Sequence, residues 1–141
     1  MRYRVLIDSN VALDFLLTRT GFTENAEIIF KAIEEKSLVG CISSSAMTDI
    51  YYIVESNANS DFALEMIEYL YRTVRILPVF RKTVRTALDS GMKDFEDVVQ
   101  VTAAKDDGID IVVTRDPMGS VCQKGASPHA FQLKDSPVTE H

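Results

Sequence analysis

Five aspartates, Asp8, Asp49, Asp94, Asp97 and Asp116, are the residues of this 141-residue sequence whose type and placement point to chemistry. Carboxylates are hard oxygen ligands, and several gathered in one place suit Mg²⁺ or Mn²⁺ better than softer metals. No histidine or cysteine stands near these five positions, which disfavours zinc. Divalent ions held this way promote attack of water on a phosphorus centre and neutralise charge on the phosphoryl oxygens. Hydrolysis of a phosphodiester is the reaction such equipment fits best. It requires that the five acids meet in space, so the elements that carry them decide the matter.

Short apolar runs alternate with amphipathic segments along the chain. Tyr3 to Ile7 reads as a buried strand ending at Asp8, followed by a helix from about Asn10 to Leu17 and a turn at Gly21. Thr23 or Glu24 opens a helix to about Lys36, and Leu38 to Ile42 reads as a second strand. Ser43, Ser44 and Ser45 are N-cap candidates for a helix to about Ser56, and Ser60-Asp61 for one to about Thr73. Val74 to Val79 reads as a third strand, stopped by Pro78. Helices follow from about Arg81 to Ser90, before Gly91, and from Asp94 to about Asp107, before Gly108. Ile111 to Thr114 is a fourth strand, Phe131 falls in a short last one, and the tail from about residue 134 reads as flexible. Strands separated by helices predict an α/β fold, a three-layer α/β/α sandwich on a mostly parallel sheet, with residues 1–141 forming one domain.

In such sheets ligands bind beyond the carboxyl ends of the strands. Asp8 follows the first strand, Asp116 the fourth, and Asp49 lies early in the helix leaving the second. Asp94 and Asp97 open the helix that runs back against the fourth strand, which puts them at that strand's far end. All five acids are thus predicted on one rim. At about 100° per residue, Asp97 and Asp94 share the stripe of Val101 and Ala104, while Asp49 falls between Ala46 and Ile53. Glu96 points away from that stripe and is assigned to solvent. Buried aspartates beside one another need a cation to offset their repulsion.

Each acid also has a purely structural reading. Asp94 with Asp97 is spaced like a capping box, Asp8 could cap the first helix, and Asp116 before Pro117 could be a turn residue. Asp49 has no such local role, and its structural alternative is an ion pair with an arginine or lysine that the sequence does not identify. Asn10 is read either as a hydrogen-bond partner of Asp8 or as a turn residue, and Thr114 as a hydroxyl beside the metal or an ordinary strand residue. His129 and His141 are read as bystanders, Tyr51-Tyr52 as core and rim packing. Arg81, Lys82 and Arg85 are read as a solvated helix face before a phosphate contact.

The bulk numbers permit this picture without demanding it. The chain is 46% hydrophobic and 26% charged, the balance of a folded globular protein. No apolar run reaches the ~20 residues that cross a bilayer, and the N-terminus does not read as a secretory signal. Two cysteines, Cys41 and Cys122, are too few for a disulfide framework, so a reducing, cytoplasmic setting is the expectation. The net charge of −6 opposes a nucleic-acid partner. Setting the five aspartates aside leaves 16 acids against 15 bases, a nearly neutral remainder.

The run Val5-Leu6-Ile7-Asp8-Ser9-Asn10-Val11 resembles the opening of PIN domains. Asp94-Phe95-Glu96-Asp97 with the helix to Ala104 resembles the family's third motif, and Val113-Thr114-Arg115-Asp116 its fourth. Asp49 stands where the family's second acid falls, and the likeness extends from Arg2 to Leu133. The resemblance implies Mg²⁺- or Mn²⁺-dependent ribonuclease activity on an RNA substrate and frequent homodimerisation. It carries over Asp8, Asp49, Asp97 and Asp116 as the acidic quartet, with Asp94 as an accessory ligand. Many small bacterial members are toxins inhibited by a partner antitoxin. In the resulting scheme Asp8 and Asp97 share the main metal, Asp116 serves a second shell or ion, and Asp49 positions water. Two features depart from the family pattern: Asp49 replaces the commoner Glu, and Pro117-Met118-Gly119-Ser120 follows Asp116.

Two other classes fit parts of the sequence. Aspartate-nucleophile phosphatases also end a first strand in Asp, but need a second Asp where Asn10 stands. A catalytically weak PIN-like module that binds RNA or a protein partner would keep the fold without the turnover.

Overall fold

A computed structural model describes residues 2–114 and, for the backbone, 129–132. Five strands form one sheet: β1 (Tyr3–Ile7), β2 (Leu38–Ser43), β3 (Arg75–Leu77), β4 (Ile111–Thr114) and β5 (His129–Gln132). Their order is β3-β2-β1-β4-β5, and every neighbouring pair is parallel. Six helices connect them: α1 (Ser9–Leu16), α2 (Thr23–Glu34), α3 (Ser44–Asn57), α4 (Ser60–Thr73), α5 (Arg81–Asp89) and α6 (Phe95–Asp106).

Strand β1 is central and covered on both faces, so its apolar residues run continuously rather than alternating. Val5 and Ile7 face one core, shared with α1 to α4, whereas Leu6 faces another, shared with Cys41, Leu77 and the α6 residues Val101, Ala103 and Ala104. This split makes the three-layer α/β/α sandwich, with α1–α4 on one side and α5–α6 on the other. Helix α2 lies close to the sheet, because Gly40 of β2 leaves room for Ile33: a Cβ there would stand 2.5 Å from Ile33 Cδ1.

Several local readings change. The third strand shrinks to three residues, because Val74 serves as the C-cap of α4 and the strand ends ahead of Pro78. The cap of α4 is Asn59 rather than Ser60-Asp61: its side chain accepts from the Phe62 amide at 2.8 Å. Ser43 does cap α3, accepting from the Ala46 amide. Gly108 closes α6 at φ +80°, and the Ile109 amide returns to the Ala104 carbonyl at 2.8 Å. Among the described residues no helix is long and apolar enough to cross a membrane. Asp116, the loop from Pro117 to Ser120, Cys122, His141 and the tail from residue 134 lie outside the described residues.

Candidate active site

The sheet order reverses direction at β1, whose sequence successor β2 lies on one side and β4 on the other. A crevice forms beyond the carboxyl ends of strands at such a switch point. Asp8 follows β1 and is the N-cap residue of α1, yet its side chain makes no capping hydrogen bond. Its carboxylate instead accepts from the Thr114 hydroxyl at the end of β4, 3.1 Å away. The Asp8 amide donates to the Val113 carbonyl at 3.1 Å, so backbone and side chain both tie the two strand ends together. The helix-cap reading of Asp8 therefore fails, and Thr114, fully buried, holds this carboxylate in place.

Asp8 opens onto a cleft of about 460 Å³ whose walls also include Asp49, Asp94, Glu96 and Asp97. Four of the five sequence-predicted acids thus line one cavity. Asp49 comes from the second turn of α3, half-buried as its helical phase requires. Asp94 and Asp97 come from the start of α6, and here the structural reading of Asp94 holds too: its side chain accepts from the Asp97 amide at 3.2 Å. Asn10 lines the same cleft. Gln100, buried on α6, donates to Ser9 Oγ at 3.3 Å and braces α6 against the start of α1. Tyr52 stands exposed at the rim, edge-on to Tyr51, which packs on the core.

Glu96 is the residue that sequence reasoning misplaced. It lies in the cleft, not in solvent. Helix α6 is enclosed by the sheet, α3 and α5, so Val98, Val99, Gln100, Val101, Ala103 and Ala104 are all buried. That buried surface is much wider than the Val101–Ala104 stripe. Glu96 is one turn from Gln100 and two from Ala103, which places it on the same face as both. The spacing to those two residues was the available signal.

The Glu96 carboxyl meets that of Asp49, and its other neighbours are carboxylates too. Its pKa is pushed up to about 8, first by the hydrogen bond with Asp49, then by burial, then by the charges of Asp49, Asp97 and Asp94. Its Oε2 is buried with no hydrogen-bond partner among the described residues. An unpaired buried oxygen among like charges is costly. Elsewhere, Cys41 of β2 is buried, and that burial pushes its thiol up to about 11. Arg85 pairs with Asp89 at 2.7 Å, whereas Arg81 and Lys82 have no carboxylate partner among the described residues.

Whether these residues suit a divalent cation is decided by their donors. The lining offers carboxylate, hydroxyl and amide oxygens and neither thiol nor imidazole, and it holds an orphaned carboxylate oxygen. That set fits Mg²⁺ or Mn²⁺. Among the described residues no three of the acids stand close enough to ligate one ion without adjustment.

The molecule is thus a parallel α/β sandwich with an acid-lined cleft at its switch point. The chain belongs to the PIN domain family, whose sequence model matches residues 4–117. Solved structures share the fold at low identity. The sarcin–ricin-loop-cleaving toxin VapC20 of Mycobacterium tuberculosis is 13% identical, with a TM-score of 0.64 over 86% of this chain and 95% of that one. FitAcB from Neisseria gonorrhoeae is 20% identical, with a TM-score of 0.64 over 94% and 99%. A toxin–antitoxin complex from Klebsiella pneumoniae is 14% identical, with a TM-score of 0.64 over 92% and 97%. No curated protein matches the chain in sequence.

Proposed function

We propose that this protein is a Mg²⁺- or Mn²⁺-dependent endoribonuclease that acts as the toxin of a toxin–antitoxin pair in the cytoplasm. The observation that carries the reading is the convergence of Asp8, Asp49, Asp94, Glu96 and Asp97 on one cleft, with Glu96 Oε2 left unpaired. Family membership supports the hydrolytic part. The toxin part draws on the structural relatives, one of which cleaves the sarcin–ricin loop and another of which is a complex with its antitoxin.

In this reading Asp8, Asp94, Asp97 and Asp116 hold the metal, and a bound ion supplies water activation and charge neutralisation on the phosphoryl oxygens. Thr114 fixes the orientation of Asp8 from the end of β4. Asp49 and Glu96 form the wall opposite, where the hydrogen bond with Asp49 and burial push the Glu96 carboxyl up to about 8. Glu96 also supplies a longer arm where Asp49 falls a methylene short of the family's commoner Glu. An antitoxin and a second copy of the chain are the protein partners, and residues 1–141 act as one domain.

Replacing Asp8 by Asn tests the proposal. It should lower metal-dependent cleavage of a single-stranded RNA pool at least 100-fold while leaving the melting temperature of the metal-free protein within a few degrees. Unchanged turnover would refute the assignment. A weakly active binding module is the second reading, favoured by the spread of the acids in the absence of an ion. Calorimetric titration with Mn²⁺ separates the two, since the module should bind no metal at millimolar concentration. Whether the adjacent reading frame encodes a small antitoxin-like protein tests the toxin assignment independently.

A further inference from the structure

An apolar slot of about 350 Å³ opens beside the acidic cleft, and the two share the Asp49–Glu96 wall. Its other side is built from Val79, Val84, Phe95 and Val99, contributed by the strand-to-helix connection, α5 and α6. Phe95 is 45% exposed although Val99, one turn further along α6, is buried. A phenyl ring left open to water beside a cluster of acids has no role in packing the core. We propose that this slot is a nucleobase subsite, in which Phe95 stacks on the base of a nucleotide adjoining the scissile phosphate. The inference rests on the ribonuclease reading and deepens it, by naming the residue that holds a base beside the cut.

Three features favour a nucleotide as occupant. The slot has the size of small-ligand pockets and a mostly apolar surface, and outside the Asp49–Glu96 wall its polar lining is Ser45 and Thr48, whose hydroxyls can meet the polar edge of a base. Unstacked bases bind proteins by stacking on aromatic side chains, and such stacking needs only an exposed ring face. Helix α5, which supplies Val84, opens one turn earlier with Arg81, exposed and without a carboxylate partner among the described residues. That cation complements a phosphodiester next to the base, where the acids of the cleft do not. An apolar segment of a second polypeptide would cover the valines equally well. It would also bury the Asp49–Glu96 wall against apolar side chains, a costly arrangement.

The test uses an eight-nucleotide single-stranded RNA carrying 2-aminopurine, whose fluorescence falls on stacking, in EDTA so that no cleavage occurs. Quenching on binding to the wild type should be lost in Phe95→Ala, with affinity about 5- to 150-fold weaker, the range expected for one base–aromatic stack. Phe95→Trp should retain both. In a second arm a randomised RNA pool with Mn²⁺ is cleaved and sequenced, and Phe95→Ala should flatten base preference at one position beside the cut. If the RNA binds and quenches in a Phe95-dependent way but neither protein cleaves it, the subsite stands and the nuclease reading falls. If cleavage and its base preference survive Phe95→Ala unchanged, the subsite falls and the nuclease reading stands. If Phe95→Ala alters only the sedimentation behaviour of the protein, the slot faces another polypeptide and the proposal is overturned.

Discussion

The Thr114 hydroxyl donates to the Asp8 carboxylate across 3.1 Å, joining the carboxyl ends of β4 and β1 at the point where the sheet changes direction. Thr114 is fully buried and Asp8 half-buried at the mouth of the cleft, so this hydrogen bond is shielded from water on the Thr114 side. Residues that orient metal-ligating carboxylates in this way typically contribute 10- to 100-fold in affinity. Thr114→Val keeps the shape of the side chain and deletes the donor. It should weaken Mn²⁺ binding about 10-fold and lower RNA cleavage by a similar factor, while Thr114→Ser restores both. Titration calorimetry on the three proteins checks this, and equal affinities in the wild type and the valine variant would count against the role of Thr114.

The Glu96–Asp49 contact predicts how stability of the metal-stripped protein depends on pH. Glu96 titrates near its ordinary value of 4.5 in the unfolded chain and near 8 in the folded one. Between these values the folded state holds more protons than the unfolded state, so stability must fall as pH rises from about 4.5 to 8 and level off above. Glu96→Gln cannot ionise and should lose this slope. In EDTA above pH 8 it should melt higher than the wild type, by on the order of a few degrees once solvent screening is allowed for. Melting curves at pH 5 and pH 8.5 decide it: parallel behaviour of the two proteins would mean that Glu96 titrates normally.

Much of this molecule is legible in its sequence, for reasons that also explain the failures. The strand and helix alternation is written in apolar periodicity, and Asp8, Asp49, Asp94 and Asp97 could be placed on one rim because parallel topology forces strand ends together. Asn59 does not stand out as a cap in the sequence because Ser60 and Asp61 beside it are equally good cap formers, and only backbone geometry chooses among them. Glu96 was misplaced because a helical wheel assumes one buried stripe, whereas α6 is enclosed on several sides. Which face of a helix is covered depends on its neighbours, and single-chain periodicity does not encode them.

Gly40 gives a prediction about the scaffold. It lies in β2 where α2 crosses, and an added Cβ would come within 2.5 Å of Ile33 Cδ1 and 3.2 Å of Ile33 Cγ1. Ile33 is itself 5% exposed, so its tip has little room to retreat. Gly40→Ala should destabilise the fold by about 1–3 kcal/mol through overpacking. Pairing it with Ile33→Val, which removes the clashing methyl, should recover part of the loss. Chemical denaturation of both variants measures the coupling, and simple additivity of the two effects would argue that Ile33 is not the obstacle.

Asp94 raises the sharpest question in the site, because its carboxylate has two uses. It caps α6 by accepting from the Asp97 amide, and it lines the acidic cleft. An aspartate that only capped the helix would be replaceable by serine, which caps about as well and carries no charge. If the carboxylate also serves the metal, serine should preserve the helix and not the binding. Asp94→Ser is therefore expected to unfold at the wild-type denaturant midpoint while binding Mn²⁺ about 10-fold more weakly. Asp94→Ala, which lacks both functions, should lose about 1 kcal/mol of stability as well. Both variants are read by denaturation in EDTA and by Mn²⁺ titration. A serine variant with undiminished affinity for Mn²⁺ would reduce Asp94 to a helix cap and leave Asp8 and Asp97 as the α1- and α6-borne ligands.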